Sequence, residues 1–223
     1  MDEDIRKILE LMEVSFRDFE EAMREKPNLV RKSFGEVYRF QEKDIYQAII
    51  QKLAHAQSTL RAALVLLEHG FVHEQAAVQR VLDEANEDIL FLVYAVTNDS
   101  ITELHEKFLT VFWEEEFNDS GDPLTSEQKR PMVSRKKIRA YIAKIEGVEL
   151  YLSRGVELAR SINKAYSGFV HGASLTLWIN MEGTRQGFTS RECLAHLASK
   201  SMRATYEIIC IGHLYRTSSS QKR

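Results

Sequence analysis

Cysteine is nearly absent: Cys193 and Cys210 are the only two in 223 residues. They stand 17 positions apart in one apolar-periodic segment. As a helix, that segment separates them by about 25 Å, far beyond disulfide reach. Free thiols in a reducing compartment follow, so the expected location is cytoplasmic. Proline is almost as scarce, at three, and glycine stands at ten. Such a composition excludes a low-complexity chain and argues against a loop-rich all-β fold. Neither charge sign dominates, with 30 basic and 33 acidic side chains and a formal charge of −3. The first residues, MDEDIRKILE, are acidic and amphipathic and lack a signal-peptide layout. Residues 165–181 lack Asp, Glu, Lys and Arg, yet they contain Ser167, His171, Ser174, Thr176 and Asn180. At the lower limit of spanning length, this stretch reads as a helix buried in protein, with no membrane contact.

What is present is helical spacing. Apolar residues make up 44% of the chain and charged ones 28%, enough for a core that needs neither metal nor disulfide. Steps of three and four recur in seven segments. They run through Ile5–Met23, Ile49–Leu67, Val78–Val96, Ile101–Val111, Ile138–Val148, Val156–Leu177 and Leu194–Tyr215. Pro27 follows the first and Gly70 ends the second, the latter as a left-handed terminator. No strong strand run stands out. The expectation is an all-α bundle of about seven helices in a single domain, residues 1–223, with near-parallel packing. Residues 1–26 could pack as an arm, and 118–134 form a long polar loop containing two of the prolines. A turn or short hairpin fits 182–190, with Ser190 as N-cap of the last helix.

The sixth segment has three stripes. Ile162, Tyr166, Val170, Ala173 and Leu177 form an apolar one, and Ala165, Gly168 and Gly172 a small-residue one. Asn163, Ser167, His171 and Ser174 lie within about 80° of one another as an uncharged polar stripe. Interior glycine costs about 1 kcal/mol against alanine, which makes sense if another helix approaches closely. Buried Asn, Ser and His need partners, since an unpaired one costs about 1–3 kcal/mol. The stripe is read first as a satisfied polar network fixing helix register. Functionally, it is a pocket in which His171 is the candidate acid or base, with Ser167 and Asn163 as catalytic neighbours and Tyr166 as a ligand contact.

Other chemistry is thin. His69 and His73 are separated by Gly70, and His105 and Glu106 face different ways; most of these read as surface residues. No phosphate loop, nucleophile elbow or Cys-x-x-Cys occurs. No metal and no cofactor are expected. Arg80, Asp83, Glu84, Glu87 and Asp88 lie opposite the third segment's apolar stripe and read as a solvated charged face. Lys129, Arg130, Arg135, Lys136, Lys137, Arg139 and Lys144 make seven basic residues in 16 with no acidic one. Arg135, Lys136 and Lys137 fall in a first helical turn after Ser134, where the helix dipole disfavours cations by a few tenths of a kcal/mol each. Local stability therefore did not select them. They read first as partners for Glu114, Glu115, Glu116, Asp119 and Asp122. The other reading makes Arg135, Lys136 and Lys137 anion ligands, with RNA as a weakly supported partner.

Two short stretches carry a resemblance. Ala165-Tyr166-Ser167-Gly168-Phe169-Val170-His171-Gly172, with Gln79-Arg80-Val81-Leu82-Asp83-Glu84, resembles an uncharacterised group of bacterial all-helical proteins. Those proteins have an Arg-x-Leu-x-Glu helix followed by a Tyr-Ser-x-x-Val-His helix. The likeness in layout covers roughly residues 45–215, and the group is similar to HEPN domains. The resemblance implies a helical bundle that dimerises. It also implies either an inactive binding module or a metal-independent ribonuclease of a toxin or defence system. The HEPN catalytic pattern places His after Arg with four to six residues between, and Arg191 to His196 fits, with Glu192 departing from the usual Asn, Asp or His. His171 has no arginine at that spacing.

The reading is a HEPN-like, non-catalytic interaction module of a bacterial defence or stress system, with a protein partner. A homodimer is expected from the aromatic edge at Phe112, Trp113 and Phe117, although core packing is the commoner fate of such residues. The alternative is a HEPN-type endoribonuclease with His171 or His196 as acid and base.

Overall fold

A computed structural model describes residues 3–23, 25–32, 35–114 and 132–145. Within them lie five helices and one hairpin: α1 (Glu3–Ala22), β1 (Asn28–Lys32), β2 (Gly35–Arg39), α2 (Ile45–Glu68), α3 (Val72–Thr97), α4 (Glu103–Trp113) and α5 (Arg135–Ile145). The first five periodic segments are thus helices. The sixth and seventh, and most of the 118–134 loop, lie outside the described residues. No helix among the described residues is long and apolar enough to cross a membrane.

The hairpin lies where no strong strand run stands out and was not expected there. β1 and β2 pair antiparallel from Asn28↔Arg39 to Lys32↔Gly35. Leu29 and Tyr38 face each other in this register and stay 54% and 71% exposed. A strand pair that buries so little gives only a weak alternation, so the sequence signal was faint.

α1 joins the same core as the other helices through Ile8, Met12 and Phe19. Buried Ser15 donates its hydroxyl to the Leu11 carbonyl at 2.7 Å. Glu13 accepts from Gln57 at 2.7 Å and from Arg61 at 2.9 Å, while the Phe19 ring lies 6.5 Å from Tyr46. The middle of α1 therefore meets the middle of α2 and its end meets the start of α2, so the two run antiparallel.

α2 starts on a complete capping box. Asp44 Oδ1 accepts from the Tyr46 and Gln47 amides at 2.7 and 3.1 Å, and Gln47 Oε1 accepts from the Asp44 amide at 3.1 Å. It ends as expected at Gly70, whose φ is +77°. The Phe71 amide donates to Leu66 O at 2.8 Å and the Gly70 amide to Leu67 O at 3.1 Å, the two bonds of a Schellman motif. Three residues then lead into α3, so the helices are antiparallel neighbours. α3 lies at the centre. Leu82, Ile89, Phe91 and Leu92 are fully buried, and so, almost, are the polar Gln75, Gln79, Asp83, Asn86 and Asp88. α4 and α5 close over its second half. Phe91 meets Phe108 of α4 at 5.6 Å and Tyr141 of α5 at 5.2 Å, both edge-on.

Candidate functional site: an ion cluster between the third and fifth helices

Of the residues singled out from sequence, Asn163, Tyr166, Ser167, His171 and His196 lie outside the described residues. Arg135, Lys136 and Lys137 lie on the first turn of α5, and the structure separates them.

Arg135 turns inward. Its guanidinium meets Asp88 of α3 through Nη1–Oδ1 and, at 3.3 Å, Nη2–Oδ2, and Nη1 also donates to the Glu84 carbonyl at 3.2 Å. Arg139, one turn on, donates Nε to Glu87 Oε1 at 2.9 Å. From the opposite side Lys52 of α2 places Nζ 2.8 Å from Asp88 Oδ2. The same ammonium lies 5.9 Å from the Phe108 ring centre and 5.4 Å from that of Phe112. Asp88, whose side chain is 1% exposed, therefore has a cation on each side.

This arrangement overturns the reading of Asp83, Glu84, Glu87 and Asp88 as a solvated face. Asp83 is 4% exposed and accepts from Gln79 at 2.9 Å, and Asp88 is 1% exposed between Arg135 of α5 and Lys52 of α2. It also names partners for the basic stretch that the nearby acidic residues had seemed to supply: Arg135 and Arg139 reach 47 to 52 residues back in sequence, to α3. Burial alone would make the Arg135 guanidinium easier to deprotonate. Its hydrogen bond to Asp88 and the fields of Asp88, Glu84 and Glu87 outweigh that and hold its pKa above the ordinary value. The unfavourable cation at a helix N-terminus is thus offset across the seam.

Lys136 and Lys137 turn outward, with Lys144, and all three are exposed. The two cation types divide by chemistry. On α5 the flat guanidinium groups pair with carboxylates inside, while the compact, strongly hydrated ammonium groups stay in water.

Lys52 was missed in the sequence. The signal was there: it is the only Lys, Arg, Asp or Glu from Ile45 to Leu60, and a lone charge on a core helix calls for a buried partner.

His105 was also misplaced, being fully buried rather than superficial. It closes the first turn of α4: its Nδ1 accepts from the Thr102 amide at 3.1 Å and lies 2.8 Å from Thr102 Oγ1. An accepting Nδ1 puts the proton on Nε2, which makes no hydrogen bond. The ring stacks on Phe91 with centroids 4.0 Å apart. Burial lowers its pKa below 6.5, and the Phe91 backbone pulls weakly the other way. Half-buried Phe112 and Trp113 pack against the core rather than forming a free edge.

His69 caps the end of α2, its Nδ1 2.8 Å from the Val65 carbonyl, and lies on a different helix from His73. Among the described residues no group of three His, Cys, Asp or Glu is placed to hold a metal ion. What the cluster can do is hold α5 at one rotation and one height on α3, with its lysines outward. No family model, no curated protein and no solved structure matches this chain.

Proposed function

We propose that the chain is a non-catalytic helical interaction module, HEPN-like in its bundle, that docks an acidic protein surface through Lys136, Lys137 and Lys144. One observation carries this reading. Within a single eleven-residue helix, Arg135 and Arg139 are tied to α3 carboxylates, while the lysines face solvent and form no ion pair among the described residues. The cations committed inside fix the presentation of those outside, and a rigid row of like charge raises encounter rates with an oppositely charged partner.

The test uses labelled poly-glutamate as the acidic probe and a labelled single-stranded RNA beside it. The expected outcome is poly-glutamate binding that the triple variant Lys136→Glu, Lys137→Glu, Lys144→Glu weakens at least about tenfold, with the RNA left intact. RNA cleavage that disappears in His171→Ala or His196→Ala would replace this reading with the endoribonuclease. Tighter binding to RNA than to poly-glutamate, falling steeply with salt, would replace the protein partner with a nucleic acid.

A further inference from the structure

A second region carries ligand-binding features and shares no residue with α5. The end of α1, the chain after it and the first half of α2 enclose a half-open cleft of about 190 Å³. Its walls are mostly apolar: Phe16 from α1, Met23 just after it, Ile50 and Ala54 from α2, and Pro27 and Phe40. The last two flank the hairpin, whose first pair is Asn28↔Arg39. Pairing there holds Pro27 and Phe40 side by side, which gives the otherwise exposed hairpin a structural task.

Two acids, Glu20 and Glu25, line this apolar space. Glu25 Oε2 is shut away from solvent and accepts no hydrogen bond. Lys26 also lines the cleft, yet among the described residues neither carboxylate forms an ion pair with it. A buried carboxylate oxygen without a donor is costly and uncommon in native structures. The volume is about that of six waters, but the apolar walls offer water few of the two to four partners it needs. A ligand carrying its own donors on a hydrocarbon body satisfies the apolar walls and, once the Glu25 side chain turns into the cleft, the oxygen as well.

We infer that this cleft binds a small organic amine. The hydrocarbon part lies against Phe16, Met23, Phe40 and Ile50, the Glu25 side chain turns its buried oxygen toward the cleft to accept from the ammonium, and Glu20 adds a second negative charge. Specificity rests on charge, since a neutral molecule of equal size gains the apolar contact without the charge-assisted hydrogen bond.

Calorimetric titration of the full chain with benzylamine and with benzyl alcohol tests the site. The amine should bind at least about tenfold more tightly than the alcohol. Glu25→Gln should remove that preference and leave alcohol binding unchanged, while Ala54→Phe should weaken both by filling the space. No benzylamine binding, equal affinity for the two probes, or full amine affinity in a folded Glu25→Gln chain overturns the proposal. Should Glu25→Gln fail to fold by circular dichroism, Glu20→Gln takes its place, and an unchanged amine-to-alcohol ratio there overturns it.

Discussion

The central helix α3 is closed on two sides by different physics. Toward α2 the seam is hydrocarbon: Ile49, Leu53 and Leu60 with Leu82, Ile89 and Leu92, all fully buried. Toward α5 only Ile138 and Ile142 of that helix are buried and Tyr141 meets Phe91 edge-on, while Asp88, Glu84 and Glu87 pair with Arg135 and Arg139. Apolar burial is strong but non-directional, so it tolerates small rotations. Ion pairs in a forked geometry add little net stability over a well-packed apolar seam, but they define one orientation. A long helix pair can rely on the first. An eleven-residue helix with one short apolar stripe is marginal alone and gains its placement from the second.

The largest effect that separates the seams is loss of Asp88. Asp88→Ala leaves the half-buried Lys52 and Arg135 facing each other without their shared anion and should cost about 3 kcal/mol, measured by urea unfolding. Leu53→Ala in the apolar seam should cost about 3 kcal/mol through its cavity. The comparison sharpens in the replacements. Lys52→Met, Asp88→Leu and Arg135→Met together should recover most of the Asp88→Ala loss, because charges removed as a set leave nothing unpaired. A triple variant no more stable than Asp88→Ala would mean that the ion cluster contributes more than its own desolvation.

These seams were unequally legible. Five of the periodic segments are helices, and the stop at Gly70 is where it was expected, because spacing and a left-handed glycine are local properties of the chain. The α3–α5 seam was not legible, since nothing local says which face of a charged helix another helix will cover. Angular placement of Asp83 and Asp88 opposite an apolar stripe describes a solvated helix and a sandwiched one equally well. The basic first turn of α5 held the clue, as cations there oppose the dipole and needed a partner from elsewhere. The hairpin escaped because Leu29 and Tyr38 stay exposed. The pocket around His171 concerns residues outside those described.

His105 gives a smaller difference, one of pH. In the folded chain burial lowers the pKa of the ring, while in the unfolded chain it titrates near its ordinary 6.5. Below that value the unfolded chain takes up the proton before the folded one does, so stability falls as pH falls and is complete above it. Urea unfolding between pH 7.5 and 5 should show this slope in the native chain. His105→Gln, which keeps a capping acceptor, should lower stability overall and flatten the slope. An unchanged slope would place the proton uptake elsewhere and leave the α4 cap neutral to pH.

The smallest effect compares the two ends of the apolar seam. α2 and α3 finish in the same motif. The Phe71 amide reaches Leu66 O and the Gly70 amide Leu67 O, just as Ser100 reaches Ala95 O at 2.8 Å and Asp99 reaches Val96 O at 3.2 Å. The left-handed position is glycine in one, at +77°, and aspartate in the other, at +46°. Aspartate tolerates this region better than most residues but still carries a Cβ penalty. Asp99→Gly should therefore add about 0.5 kcal/mol and raise the melting temperature by about 1–2 °C. Gly70→Ala should lose about 1 kcal/mol, more than the first gains, because alanine has no side-chain amide or carboxylate to favour that conformation. A Cβ at Gly70 would meet nothing within 4 Å, so its cost is backbone conformation alone. Equal and opposite shifts at the two ends would show that the aspartate side chain gives its motif nothing that alanine would not.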